Sequence, residues 1–254
     1  MNLSLNKLLK YDIDATDGDI GYLKDVLFDD QQWIVRYIII DTKRWMPLSQ
    51  KVLISPIAVR GFDIQDETLS LSLTKQHILD SPPIEAHKPV SEQFEKAYFD
   101  FFGYGYYWNG LGAWGDFDTP TSLIERSVDD TISDSDNSQQ PSDPIIDRHL
   151  RSINELRHYS VVETDGMKGR VHDFILDTDT WTIKYFVIGI RNWLPGGHIA
   201  LLPPEYLASV SWKDQAVFCE LNVAQVKQLP EYDEDMLNNE AYLASVHSVF
   251  EGKV

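Results

Sequence analysis

Hydrophobic positions along the chain are grouped in short runs of β-branched and aromatic residues, and turn-forming residues separate these runs. The clearest run extends from Trp33 to Ile40, where Arg36 is the one charged residue, and a similar run extends from Trp181 to Ile188. This composition favours strands over helices. Asp-Gly pairs and acidic turns lie between successive runs, as expected of hairpins. The pattern therefore predicts a mainly β protein built from short strands.

The whole pattern occurs twice, because the sequence aligns with itself without a gap at an offset of 148 residues. Glycine, tryptophan and proline are matched repeatedly in this one register, which indicates an internal duplication rather than chance. We expect the matched residues to have structural roles in turns and in the core: Gly18 and Gly166, Gly21 and Gly169, Asp25 and Asp173, Trp33 and Trp181, and Pro56 and Pro204.

The repeated aspartates Asp25 and Asp173 are interpreted as residues on or beside turns between strands, where an aspartate bonds its own backbone. The same interpretation applies to Asp29 and Asp177. The alternative is an acid–base pair, which requires two carboxyl groups that converge in different environments. The turn positions favour the structural role.

The two copies cover residues 5–82 and 151–230. Each predicts a small β-barrel that is closed or nearly closed, because closure leaves few exposed strand edges. Each barrel is expected to be followed by a short helical segment. Thr74 and Asn222 occupy the same repeat position, and both are predicted to be helix N-caps.

Three further segments differ in composition from the repeats. Residues 83–115 contain a proline-rich exit, a helix predicted from Ser91 to Phe102, and an aromatic segment. Residues 116–150 are rich in aspartate and serine and are expected to form an acidic, flexible linker. Residues 231–254 predict a C-terminal helical tail.

The formal net charge of −18 makes the chain strongly acidic. This charge repels phosphate backbones, so free nucleic acid is not an expected partner. No run of about 20 apolar residues is present, and the N-terminal residues lack the apolar stretch of a signal peptide. We therefore expect a cytoplasmic protein without a membrane anchor. The single cysteine, Cys219, excludes an internal disulfide and a thiolate metal cage.

The sequence carries no catalytic signature, so we expect a non-enzymatic protein without a cofactor or a metal. The run Asp12–Asp19 resembles the start of a calcium loop but lacks the required glycine and glutamate. The seven histidines are scattered, and none recurs in the second copy. Gly103-Tyr104-Gly105 begins like a dinucleotide-binding loop, but Trp108 stands where the third glycine belongs.

The aromatic segment is the candidate functional site. One alternative is packing across a barrel or between the modules, and the other is an exposed contact patch, since aromatic residues dominate interface hot spots. Packing is favoured, although both can hold if the patch completes a homodimer. The residues are Tyr98, Phe102, Tyr104, Tyr106, Tyr107 and Trp108.

The order of these features resembles the PRC-barrel family. The resemblance rests on the Gly-x-x-x-Asp stretch from Gly21 to Asp25, the acidic turn, the aromatic-rich strand, the proline-containing segment and the closing strand. Ser81-Pro82-Pro83-Ile84 and Lys88-Pro89-Val90-Ser91 also resemble stand-alone bacterial tandem members. This family includes the cytoplasmic domain of the photosynthetic reaction centre H subunit and the C-terminal domain of a ribosome maturation factor.

The resemblance implies two small PRC-type β-barrels in tandem and a role in protein binding or assembly. We expect a non-enzymatic adaptor whose partner is an unidentified protein, and a homodimer is left open. The alternative is an accessory subunit of a photosynthetic or electron-transfer complex, like the H subunit. The membrane anchor of that subunit has no counterpart here, so its specific function does not transfer.

Overall fold

The computed structural model describes residues 1–42, 51–82, 90–126, 150–164, 168–190 and 197–250. Strands account for most of the regular structure in these ranges, which confirms the prediction of a mainly β protein. The chain divides into two compact units. The first-repeat unit comprises Leu8–Arg151 with Asp179–Trp181, and the second-repeat unit comprises Met1–Lys7, Ser152–Thr178 and Thr182–Val254.

The elements of the first half follow the predicted hairpins. The helices are α1 (Leu5–Leu8), α2 (Lys75–Leu79), α3 (Glu92–Phe102) and α4 (Ser122–Arg126), and Pro56–Ala58 is a 3₁₀ turn. The strands are β1 (Asn2–Ser4), β2 (Asp12–Ala15), β3 (Gly18–Asp29), β4 (Ile34–Asp41), β5 (Lys51–Ile54), β6 (Val59–Asp63) and β7 (Thr68–Leu71).

The second half repeats this order of elements. Its helices are α5 (Ile153–Leu156), α6 (Val223–Val226) and α7 (Glu240–Ser248), with 3₁₀ turns at Pro204–Tyr206 and Glu234–Met236. Its strands are β8 (Leu150–Ser152), β9 (Ser160–Val162), β10 (Lys168–Asp177), β11 (Thr182–Ile190), β12 (His198–Leu202), β13 (Leu207–Ser211) and β14 (Ala216–Cys219).

The first-repeat unit contains a mixed sheet in the order β5-β4-β3-β2-β7-β6. The pairs are antiparallel except β2 with β7, which is parallel. No pairing among the described residues joins β5 to β6, so the sheet is open and the prediction of a closed barrel is not confirmed. The second-repeat unit has the corresponding order β12-β11-β10-β9-β14-β13, again with one parallel pair, β9 with β14.

Each acidic hairpin turn is followed by a tryptophan with an unusual backbone conformation, at the same position of both repeats. Asp29 is at the turn as predicted, and its Oδ1 accepts hydrogen bonds from the backbone N–H groups of Gln31 and Gln32 at 2.8 and 3.1 Å. Trp33 and Trp181 follow with φ angles of 58° and 59°, in the left-handed region. This conformation costs a non-glycine residue about 1–2 kcal/mol. Ring packing offsets the cost, since Trp33 stacks on Phe28 with ring centroids 5.5 Å apart.

Asp25 and Asp173 lie inside strands, so their predicted placement on or beside turns is wrong. Each sits at a β-bulge, where the register of β3 with β4 and of β10 with β11 shifts. A bulge leaves a backbone N–H outside the ladder. Each carboxylate accepts the N–H of the next residue, Val26 or Phe174, at 2.9 and 2.8 Å. Aspartate is depleted in strands, so the local sequence alone points to a turn.

The predicted helix caps are confirmed. The Thr74 hydroxyl accepts the His77 N–H at 3.2 Å, and the Asn222 side chain accepts the Gln225 N–H at 2.9 Å. Helix α3 begins after Ser91, as predicted, and α7 lies within the predicted C-terminal tail. Most of the predicted linker, residues 127–149, lies outside the described residues. Within the described ranges, no helix has the length and apolar character needed to cross a membrane.

Candidate functional site

The aromatic segment begins on α3, which is anchored beside β5 in the first-repeat unit. Ser91 caps the helix by accepting the Phe94 N–H, and Gly103 ends it with a φ of 68°. Tyr98 is fully buried on this helix. Its hydroxyl oxygen accepts the backbone N–H of Ser55 at 2.8 Å, which joins α3 to the residue that follows β5. The helix is therefore held by both packing and a buried hydrogen bond.

Glu95 is the buried carboxylate at the centre of the site. Its side chain is on α3, the residue as a whole is 3% exposed, and its Oε1 accepts two tyrosine hydroxyls. Tyr37 of β4 donates at 2.7 Å, and Tyr107 of the following loop donates at 2.8 Å. Burying a carboxylate is costly unless hydrogen bonds replace its lost water. The two hydroxyls supply part of that replacement and join three segments of the chain.

Arg36 is the buried cation of the same layer, and only 2% of it is exposed. Its guanidinium carbon lies 4.0 Å from the ring centroid of Tyr107 and 4.9 Å from that of Trp114. Nη1 donates to the Ala113 carbonyl at 2.5 Å, and Nη2 donates to Gln32 Oε1 at 2.7 Å. Planar stacking and several donors make arginine better suited than lysine to such a site.

The electrostatic environment keeps the tyrosine hydroxyls protonated. Burial raises the pKa of Tyr37 well above its ordinary value, and the charge of Glu95 and the hydrogen bond to it raise it further. Burial lowers the pKa of Arg36, while its interactions with Tyr107, Asp29, Tyr37 and Glu95 oppose that shift. The Tyr37 hydroxyl therefore remains a donor to Glu95. This arrangement stabilises the layer.

The outer face of the aromatic segment is exposed. Phe101 and Trp108 are each 37% exposed, and Leu111 is fully exposed. Trp108 stacks on Tyr106 with ring centroids 4.8 Å apart. The Tyr106 hydroxyl donates to Asp100, and burial followed by this hydrogen bond raises the pKa of Tyr106 to about 12. The exposed rings therefore rest on ordered neighbours.

The aromatic segment is partly buried and partly exposed. Two members of the predicted set are buried, three are half-buried and one is exposed: Tyr98 and Tyr107, then Phe102, Tyr104 and Tyr106, and lastly Trp108. Ring contacts connect them, including a stack of Phe102 on Tyr104 at 5.4 Å. The buried members pack against strands of the same unit, and the exposed member belongs to the outer face.

The repeat-structural residues occupy turns, bulges and helix starts rather than the aromatic layer. Pro56 and Pro204 each begin a 3₁₀ turn. Gly18 and Gly21 have φ angles of 116° and 134°, Gly169 is in β10, and Gly166 lies outside the described residues. Trp181 is the exception. Its hairpin tip belongs to the first-repeat unit, where Trp114 Nε1 donates to the Thr180 carbonyl at 2.9 Å.

The sequence analysis missed Arg36, Glu95 and Trp114 as site residues. The available signal for Arg36 was its position as the one charge in an otherwise apolar strand. Glu95 carried no such signal, because a glutamate in a helix with other charges is ordinarily exposed. In the described part of the chain, no three histidine, cysteine, aspartate or glutamate residues are grouped so as to hold a metal ion.

No protein-family model matches this chain, and no curated protein matches it. The resemblance to PRC-barrel proteins therefore remains a prediction.

Proposed function

We propose that the chain is a non-enzymatic adaptor that binds another protein through the outer face of the aromatic segment, formed by Phe101, Trp108 and Leu111. One observation carries the proposal. Most of the large apolar side chains that are more than a third exposed in the described ranges lie between residues 101 and 124. They are Phe101, Trp108, Leu111 and Ile124, while Met1 and Ile64 lie elsewhere.

The rigidity of this face supports a role in binding. Trp108 is stacked on Tyr106 and meets the edge of Tyr107 at 4.9 Å between ring centroids. An aromatic side chain that is already positioned loses little conformational entropy when a partner covers it. Tryptophan is also among the residues most enriched in interface hot spots. The buried pair of Arg36 and Glu95 holds the layer beneath this surface in place.

The charge of the chain supports a protein partner. A net charge of −18 disfavours nucleic acid and anionic lipid, whose binding depends on cationic side chains. A protein with a cationic rim around an apolar pocket would complement both the negative charge of the chain and the exposed apolar side chains of this face. Complementary charge at the rim speeds association, whereas the apolar centre supplies most of the affinity.

We also propose that both units are variants of the PRC-barrel and that the protein acts in the cytoplasm. The support is the ordered set of repeated residues and the identical strand order of the two mixed sheets. Assembly and binding roles in that family agree with an adaptor.

Crosslinking in cells tests the proposal. The wild type is compared with a Trp108→Ser, Leu111→Ser double variant and with Ile64→Ser, which removes another exposed apolar side chain of the same unit. Loss of a hot spot costs about 2 kcal/mol or more, which weakens binding roughly 30-fold. We expect a protein that is recovered with the wild type and Ile64→Ser, and is lost with the double variant.

Equal recovery with all three proteins would overturn the assignment of this surface. Recovery of only a second copy of the chain, or of no protein at all, would overturn the adaptor role. Circular dichroism and thermal melting of the purified variants establish that the double variant is folded. Because Trp108 packs on Tyr106 and Tyr107, we expect the double variant to melt below Ile64→Ser but to remain folded at the temperature of the crosslinking.

A further inference from the structure

The compact units do not follow the boundary between the sequence repeats. Met1–Lys7 leads into the first repeat and includes its first three residues, yet this segment belongs to the second-repeat unit. There β1 pairs with β10 in antiparallel register, so that Asn2 faces Asp177, Leu3 faces Leu176, and Ser4 faces Ile175. Leu3 and Leu5 are buried in this unit. The segment is therefore part of the core and not a loose terminus.

Asp173 fixes the segment through its carboxylate. Its Oδ2 accepts the Ser4 hydroxyl at 2.5 Å, and its Oδ1 accepts the Asn6 backbone N–H at 2.9 Å. The Asn6 side chain donates to the carbonyl of His172 at 2.9 Å. Asp173 is 5% exposed, and without the segment its carboxylate would lose two of its donors. A buried acceptor without donors is costly, so this site requires a strand that brings them.

A second segment shows the reverse exchange. Leu150 and Arg151 lie at the start of the second repeat but belong to the first-repeat unit, where β8 pairs with β3. Arg151 Nε lies 3.1 Å from Asp30 Oδ2 in that unit. In sequence, Ser152 and Asn154 match Ser4 and Asn6 at the offset of 148 residues. The two copies thus carry equivalent leading segments. Met1–Lys7 lies wholly in the second-repeat unit, whereas only Leu150 and Arg151 of the other leading segment lie in the first-repeat unit, and Ser152 and Asn154 stay in the second-repeat unit.

We infer that the chain is a tethered, segment-exchanged pair of repeats. Strand β10 with Asp173 is a receiving site for a short strand that has serine and asparagine two residues apart. The first repeat supplies that strand to the second-repeat unit. Exchange of an identical element between two copies is a common, low-cost route to dimers. Duplication of a gene for one repeat that formed such a dimer would give this arrangement within a single chain.

Disulfide trapping tests the exchange directly, because the repeat supplies a matched control. One full-length variant carries Asn2→Cys and Asp177→Cys, and the other carries Asn2→Cys and Asp29→Cys. Asp29 is the repeat equivalent of Asp177. Both variants include Cys219→Ser and a protease site between Arg126 and Leu150. Directly opposed strand residues lie within the range that a disulfide spans.

We expect the first variant, after oxidation and cleavage, to run on a non-reducing gel as one band that contains both fragments. The second variant should give two separate fragments, and the fragment with residues 2 and 29 should keep two free thiols in a thiol-alkylation assay. The opposite result, with residue 2 joined to residue 29, would overturn the exchange. A band of twice the chain mass from the uncleaved first variant would also overturn it, because the strand would then come from another molecule.

Cleavage of a protein with the protease site and no new cysteines provides a second measurement. Because each fragment supplies a segment to the other unit, we expect the cleaved protein to elute from a sizing column as the uncleaved protein does. Two folded fragments that separate in native buffer would overturn the inference. This test is independent of the aromatic face and of any partner protein.

Discussion

At the scale of the residue, charged side chains are buried where several segments of the chain supply hydrogen bonds or stacked rings to them. Glu95 accepts hydroxyls from β4 and from the loop after α3, and Arg36 stacks on the ring of the same Tyr107 that donates to Glu95. Each of these residues alone would be expensive to bury. Together they join β4, α3 and the aromatic loop into one layer. Substitutions that remove one hydrogen-bond donor should therefore lower the free energy of unfolding by more than the lost contact area suggests.

Tyr37→Phe removes one of the two hydroxyls that bind Glu95 and leaves the ring in place. A hydrogen bond to a charged group contributes about 1.5–3 kcal/mol, so the free energy of unfolding should fall by that amount. Urea denaturation followed by tryptophan fluorescence measures the change.

Tyr206→Phe is the matched control, because Tyr206 stacks on Phe250 at 3.9 Å between ring centroids and its hydroxyl has no hydrogen bond within the described ranges. We expect a change below about 0.5 kcal/mol for this variant, as for ordinary surface substitutions. Equal effects of the two substitutions would show that the hydroxyl of Tyr37 does not stabilise Glu95.

At the scale of the element, the long strand β3 shows how glycine permits close strand contact. Gly21 has a φ of 134°, and a Cβ placed there would lie 2.1 Å from the backbone oxygen of Asp41. A backbone atom in a sheet cannot move away as the end of a side chain can. Four residues later the bulge at Asp25 turns the strand, and Val26 and Phe28 face the core. The close contact at Gly21 and the bulge at Asp25 both depend on backbone geometry.

Gly21→Ala should destabilise the first-repeat unit by more than about 2 kcal/mol, because it combines a disfavoured backbone conformation with a clash against the main chain. Gly61→Ala on β6 is the control, since a Cβ there meets nothing within 4 Å. We expect it to be neutral or stabilising by up to about 1 kcal/mol. Thermal unfolding of both variants measures the difference, and similar melting temperatures would contradict the close approach at Gly21.

At the scale of the whole molecule, a strongly acidic chain buries a carboxylate at the place where the exchanged segment docks. Burial raises the pKa of Asp173, and hydrogen bonds from Ser4, Phe174 and Asn6 together with the charge of Arg157 oppose this shift. The folded protein therefore binds the proton more tightly than the unfolded chain does. The stability that this group contributes is fully present below the unfolded value of 3.8 and is lost as pH rises through the higher folded pKa.

Asp173→Asn removes this titration and keeps an oxygen that can accept from the segment. We expect the wild type to lose stability relative to the variant as the pH is raised from below 3.8 through the folded pKa. Urea denaturation of both proteins across that interval measures the difference in their free energies of unfolding at each pH. The other carboxylates are present in both proteins, so their contributions cancel in this difference. A constant difference between Asp173→Asn and the wild type would contradict the raised pKa.

Much of the fold could be predicted from the sequence, whereas little of the site could. The hairpins, the caps at Thr74 and Asn222, and the helix after Ser91 depend on residues close together in the chain. The bulge positions of Asp25 and Asp173 could not be predicted, because a bulge is a relation between two strands. The cluster of Arg36, Glu95 and Tyr107 likewise depends on contacts between distant segments.

The sequence by itself determined the duplication, the succession of strands along each copy and the acidic character of the chain. Turn chemistry and side-chain periodicity act over a few residues, so they can be read without a fold. Only the tertiary structure decided which unit contains Met1–Lys7 and which aromatic rings are buried. The physical reason is that Ser4 and Asn6 have the repeat equivalents Ser152 and Asn154, so local sequence cannot show which of the two segments supplies the donors to Asp173.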